Sequence, residues 1–213
     1  MAIREGVERL LSPARPPAST ALGAAQREDA IHPLSGAMNG AYSQGVSTVA
    51  IEIRPARAAD APAIANVHDQ AWRNAYRGLI PGRELERMIE RRGPAWWTSA
   101  LKRGTRVSLL MFGGEAVGYA SSGRNRASML AVGGEIYELY MKPEYQGVGL
   151  GRRLFAAARG DLAARGLSGA ATWSLAANDP ACAFYARLGG KLSARGVETF
   201  GDVTLEKFAF VWR

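Results

Sequence analysis

The chain has a single cysteine, Cys182, in 213 residues. One thiol excludes an internal disulfide and suits a reducing compartment. Histidine is nearly as scarce. His32 and His68 form no metal-ligand cluster with that cysteine, so no metal is expected. No apolar run approaches the roughly 18 residues that a membrane span needs. The N-terminus has no apolar signal core, and Glu5 and Glu8 argue against an import presequence. These absences lead to the expectation of a cytoplasmic protein with no membrane partner. What is present suits a globular chain: 47% of the residues are hydrophobic, and the length allows one domain plus an extension.

Acidic residues are the scarcer sign, at 19 against 27 lysines and arginines, for a net charge of +8. Arg4, Arg9, Arg15 and Arg27 balance Glu5, Glu8, Glu28 and Asp29, so the excess lies beyond residue 48. A basic domain suits a nucleic acid, an acidic membrane or a phosphate-bearing cofactor. The arginines are scattered and no basic–aromatic tract occurs, so nucleic acid is not the expected partner.

Residues 1–48 are rich in Ala, Gly, Pro and Ser, with Pro13, Pro16 and Pro17 close together. Such a segment cannot bury enough apolar area to offset its ordering entropy. It reads as a flexible tail without function, or as an over-long start, since Met38 could initiate the same domain. Residues 49–213 read as the folded domain. Val49, Ile51 and Ile53 alternate as in a strand. Asp60 is a good N-cap for a helix whose face carries Ile64, Val67, His68, Ala71 and Trp72. His68 there is expected to be a packed or hydrogen-bonded core residue. A second helix carries Leu85, Met88 and Ile89, and a third piece Trp96, Trp97 and Leu101. Gly113-Gly114 joins strands 106–112 and 115–122 as a hairpin. Later strands fall at 170–177, 191–198 and 203–212, with a helix over 180–188. In the last strand Val203 and Leu205 have one parity and Phe208, Phe210 and Trp212 the other. A bulge near Glu206 or Lys207 is therefore expected.

The middle of the chain carries the chemistry. Ile136, Leu139, Tyr140 and Met141 read as a buried strand that Pro143 ends. Gln146-Gly147-Val148-Gly149-Leu150-Gly151 follows. Leu150, Leu154, Phe155, Ala158 and Leu162 then share one helical face. Glycines between a strand and a helix let the backbone approach a ligand. The first helical turn adds unpaired N–H donors and the positive end of the dipole, a site for phosphate. A Walker loop fails because Arg152 and Arg153 follow Gly151. A dinucleotide fingerprint from Gly147 fails because its third glycine falls on Arg152. The pattern left is Gln/Arg-x-x-Gly-x-Gly/Ala on Gln146, Gly149 and Gly151. A second motif runs Asn178-Asp179-Pro180-Ala181-Cys182-Ala183-Phe184-Tyr185 and ends Leu188-Gly189-Gly190. Asn178 can cap its helix or offer its amide to an extended ligand. Phe184 and Leu188 are placed for the core, and Tyr185 can point elsewhere.

Together the two motifs resemble the GNAT superfamily of N-acetyltransferases, over about 51–213. The resemblance implies an α+β (mixed α/β) fold, with a central, mostly antiparallel sheet splayed between two strands and flanked by helices. The co-substrate it implies is acetyl-coenzyme A (acetyl-CoA). Its pyrophosphate would lie on the amides of Gly147, Val148, Gly149, Leu150 and Gly151, beside Gln146, with Arg152 or Arg153 adding charge. Its pantetheine arm would run as a pseudo-strand along Leu139, Tyr140 and Met141, with Asn178 nearby. Tyr185 would face the sulfur and give a proton to the departing thiolate; ordinary values are about 10 for a phenol and about 8.5 for a thiol. No serine or cysteine nucleophile motif is evident, so the amine attacks directly. An amine of pKa near 10.4 benefits from a base, and Glu135 and Glu138 are the candidates. By parity the two should face opposite sides of the sheet. Some members carry a glutamate on the next strand, where this chain has Trp173. The phrase 71–81 resembles a subset in which Trp72 and Tyr76 would line the acceptor pocket. The acceptor would be a primary amine on a small molecule or peptide. A homodimer through the sheet or C-terminal strands accords with the resemblance. A catalytically silent acyl-CoA-binding module is the alternative.

Overall fold

The computed structural model describes residues 49–213, so the reading of residues 1–48 as a tail lies outside them. Strand β1 (Ile51–Pro55) ends at a proline, tolerated because the strand is at the sheet edge. A short 3-10 turn, Ala58–Asp60, leads into helix α1 (Ala61–Tyr76). Asp60 holds the N-cap position without capping. Its carboxylate instead accepts two hydrogen bonds of 2.8 Å from Arg54 and one of 2.7 Å from the Arg57 amide. It thus fastens the start of α1 to β1. Helices α2 (Gly82–Arg91) and α3 (Pro94–Lys102) follow.

The sheet has seven strands in the order β1-β2-β3-β4-β5-β7-β6. Their ranges are β2 Arg106–Phe112, β3 Glu115–Arg124, β4 Gly134–Met141, β5 Ala170–Leu175, β6 Lys191–Phe200 and β7 Val203–Trp212. Gly113 and Gly114, at φ 58° and 85°, make the tight turn between β2 and β3 that the sequence signals. All neighbouring strands are antiparallel except β4 and β5. That parallel pair requires a crossover, which helix α4 (Leu150–Ala164) supplies. Helix α5 (Asp179–Arg187) follows β5.

Each face of the sheet has its own core. Val107, Leu109 and Tyr119 meet Ile64, Val67 and Trp97 of α1 and α3. Leu110, Ala120 and Ile136 meet Leu154, Phe155 and Leu162 of α4, with Tyr185, Phe210 and Trp212. The apolar face of α4 is buried along its length, with Leu154 at 0% and Leu150 at 4% exposure. Burying each large side chain contributes roughly 1.5–3 kcal/mol. This stripe holds the N-terminus of α4 against the end of β4.

Two registers differ from the sequence expectation. No bulge occurs at Glu206 or Lys207, because β7 pairs continuously there with both neighbours. Both parities of β7 are covered, Ala209 and Val211 on one face and Phe210 and Trp212 on the other. The pattern needs no kink; the irregularity lies instead in β6, between Leu192 and Ala194. The second difference is in β4. Ser121 pairs with Glu138 and Ser122 with Ile136, which leaves Tyr137 as an extra residue. This bulge resets the parity of the strand. Glu135 lies opposite Gly123 and Glu138 opposite Ser121, two residues apart on β3. The two glutamates therefore share one face, the face of α1, and do not lie on opposite sides.

Candidate functional site

The glycine turn joins the end of β4 to α4 through a 3-10 turn at Pro143–Tyr145. Gly147 and Gly149 have φ of 80° and 85°, a region that L side chains rarely adopt, and open space surrounds their missing Cβ atoms. Gln146 folds back, its Nε2 donating to the Met141 carbonyl at 3.1 Å. The first bond of α4 runs from the Arg153 amide to Gly149 O at 3.3 Å. No acceptor among the described residues takes the N–H groups from Gly147 to Arg152. Val148 is 70% exposed, so the turn presents its backbone to solvent. Beneath it the ring of Phe184 lies 3.5 Å from where a Cβ on Gly151 would stand.

Beside this turn the sheet opens. β4 and β5 pair only at Gly134 with Ala170 and Glu135 with Ala171. Beyond these two pairs Thr172 Oγ1 donates to Ile136 O at 3.0 Å, and the strands part. Leu139, Tyr140 and Met141 line the β4 side of the gap. Tyr185 of α5 packs among Phe155, Phe210 and Trp212 in the core beneath the sheet. Burial pushes the Tyr185 phenol well above its ordinary value, so the hydroxyl stays protonated. Tyr185 is the most buried residue of its helix at 6% exposure; Phe184 and Leu188 are only half-buried against the same cluster. Asn178 caps α5, its Oδ1 accepting from the Ala181 amide at 3.2 Å. Its Nδ2 has no partner among the described residues.

On the opposite face, toward α1 and α2, a cleft of about 520 Å³, counted to its open mouth, reaches residues of both β4 and β5. Trp72, Tyr76, Tyr137, Tyr140, Trp173 and Phe200 supply its aromatic walls. Trp72 and Tyr76 stack edge to face at 4.9 Å, and the Tyr76 and Tyr140 hydroxyls are 2.9 Å apart. Behind Trp72, His68 is fully buried, its Nδ1 2.7 Å from the Tyr119 hydroxyl. It is the core histidine that its helical position predicts.

Neither Glu135 nor Glu138 lines this cleft. Glu135 is held by Arg126, with Oε1 2.7 Å from Nη2 and Oε2 accepting from the Arg126 amide at 2.9 Å. Glu138 accepts from Ser121 Oγ at 2.9 Å and forms a buried ion pair with Arg92 at 3.2 Å. The carboxylate that does line the cleft is Glu198 of β6, paired with Lys207 of β7 at 2.8 Å. Sequence reading missed this pair because it ended the penultimate strand at 198, leaving Glu198 at a strand tip. The buried Phe200, two residues on and so on the same face, was the signal available.

Among the described residues, no group of His, Cys, Asp or Glu could hold a metal ion, and no helix is long and apolar enough to cross a membrane. The sequence model of the acetyltransferase (GNAT) family matches residues 62–190. The uncharacterized N-acetyltransferase YuaI of Bacillus subtilis (strain 168) is 28% identical over 162 residues, 76% of this chain and 92% of that protein. Among solved structures, the PaiA N-acetyltransferase of Thermoplasma acidophilum in complex with coenzyme A superposes with a TM-score of 0.59 at 19% identity, covering 74% of this chain and 98% of that one. YncA of Salmonella typhimurium, a putative acetyltransferase with its cofactor acetyl-CoA, gives 0.56 at 23% identity, covering 76% and 93%. Both structures share the fold with this chain.

Proposed function

The chain belongs to the acetyltransferase (GNAT) family, and from that premise we propose that it transfers the acetyl group of acetyl-CoA directly to a primary amine of a small molecule or peptide. One observation carries the reading. The gap between β4 and β5 ends at a row of backbone N–H groups without acceptors among the described residues. Unpaired amides at a helix N-terminus suit a pyrophosphate, and the open glycines let it approach. Gln146 shapes the turn, and Arg152 adds charge at its exposed edge. Leu139, Tyr140 and Met141 offer a strand edge to the pantetheine arm, and Asn178 Nδ2 offers a free donor near it.

Acetyl-CoA enters as a substrate and supplies the acetyl group. The acceptor nitrogen bonds to the acetyl carbon as the carbon–sulfur bond breaks. Tyr185 reaches the gap from the α5 side and gives its proton to the leaving sulfur. The phenolate so formed regains a proton from the newly acylated nitrogen. The incoming ammonium must also lose one proton before attack. Glu135 and Glu138 share the acceptor face of β4 but do not line the cleft. Either one therefore takes that proton through intervening water, and both also fix β4 through their arginines. Trp72 and Tyr76 wall the acceptor side.

Calorimetric titration with acetyl-CoA and a thiol-release assay over an amine panel test the reading. Gly149→Glu is expected to abolish binding, because it puts a side chain and a negative charge where the phosphates lie. Tyr185→Phe should slow turnover by about 100-fold with little change in acetyl-CoA affinity. A wild-type protein that does not bind acetyl-CoA overturns the proposal. Binding without acetylated product from any amine leaves the silent acyl-CoA-binding module in its place.

A further inference from the structure

Glu198 and Lys207 are the charged residues of the aromatic cleft. Glu198 is 7% exposed, and Lys207 Nζ donates to its Oε2 at 2.8 Å. Oε1 accepts no hydrogen bond from the described residues. The Lys207 ammonium also stands 5.0 Å from the ring of Trp173. Burial raises the pKa of Glu198, while Lys207 and, more weakly, Arg126 hold it down. Stability alone does not account for an ion pair here. Replacing such a pair by apolar residues is commonly neutral or favourable. A recognition role does account for it.

We propose that the pair selects the acceptor: Glu198 takes its ammonium and Lys207 takes a carboxylate on the adjoining carbon, so the substrate is an α-amino acid with an apolar or aromatic side chain. The inference rests on the acyl-transfer reading above. Charge balance separates the acceptor classes. The pair is neutral, so a simple monoamine adds an unbalanced positive charge to an apolar slot. A zwitterion keeps the slot neutral, and each of its charges meets an opposite one. Its two charged groups, one carbon apart, match the span of a single ion pair. A peptide N-terminus lacks the carboxylate, because an amide stands in its place. The aromatic walls then hold the side chain, at an open cleft mouth.

Steady-state acetylation of L-phenylalanine, L-phenylalaninamide and phenethylamine tests the assignment with the full-length protein. The wild type should show kcat/KM at least 10-fold higher for phenylalanine than for the other two. Lys207→Met should lower kcat/KM for phenylalanine about 10-fold more than for phenylalaninamide, mainly through KM. Lys207→Arg should recover most of the loss, which separates charge recognition from folding. Glu198→Gln should weaken all three acceptors while calorimetry returns an unchanged acetyl-CoA affinity. Equal or better use of phenethylamine or the amide by the wild type overturns the inference. So does a Lys207→Met enzyme that keeps its preference. An enzyme that binds acetyl-CoA and acetylates other amines, but none of these three, sinks this inference and leaves the acyl-transfer reading standing. An enzyme that acetylates no amine sinks both.

Discussion

His68 shows what a single buried residue adds to the energetics. Its ring lies 4.8 Å from Trp72, and its Nε2 has no hydrogen-bond partner among the described residues. Burial first, and the nearby Arg92 charge second, push its pKa well below the ordinary value. The folded protein therefore holds His68 neutral. The unfolded chain takes up a proton near pH 6.5, so stability is full above that pH and falls as the pH drops toward the depressed folded value. The expected slope approaches about 1.4 kcal/mol per pH unit. Urea unfolding between pH 7.5 and 5 should reveal it, and His68→Asn should flatten it. An unchanged slope in the variant would assign it to other groups. The helical face of α1 made the burial of His68 legible. Its hydroxyl partner was not, because Tyr119 lies 51 positions away on another element.

At the scale of elements, the bulge at Tyr137 decides which residues of β4 face α1. Local alternation cannot reveal it. A bulge is a mismatch between two strands, and only the pairing with β3 exposes it. The strand, the glycine turn and α4 were legible because apolar period, proline and glycine are local signals. The bulge also turns Glu138 inward, where Arg92 at the end of α2 meets it. Both side chains are almost fully buried, at 5% and 3% exposure. Arg92 also lies 3.8 Å from the Trp96 ring, which ties α3 to the same point. Removing one member of a buried pair leaves the other charge without compensation. Arg92→Met should cost about 3–5 kcal/mol, and adding Glu138→Met should restore much of it. A double-mutant cycle by urea denaturation measures this coupling; additive losses would contradict it.

For the molecule as a whole, the net charge of +8 bears on binding more than on fold. Arg152 and Arg153 lie exposed beside the free amides. The affinity for acetyl-CoA should fall about three- to tenfold between 50 and 500 mM NaCl, as screening shortens the reach of these charges. Calorimetry at several salt concentrations checks this, and a salt-independent affinity would detach the basic charge from cofactor binding. Composition alone left nucleic acid, membrane and cofactor as candidates. The two motifs narrowed them, since each places its residues on one continuous element. Acceptor chemistry was less legible. The aromatic cleft proposed to hold the acceptor is assembled from α1, α2, β4, β5 and the β6–β7 hairpin, which meet only through the fold.

The short pairing of β4 with β5, confined to one end of the strands, makes this sheet two half-sheets sharing a hinge line. Whatever slips between them acts as a missing strand and splices the halves. Such a protein is braced by its own reactant. Resistance to heat and protease should rise with acyl-donor concentration and drop again as product departs, so occupancy and stiffness become one variable.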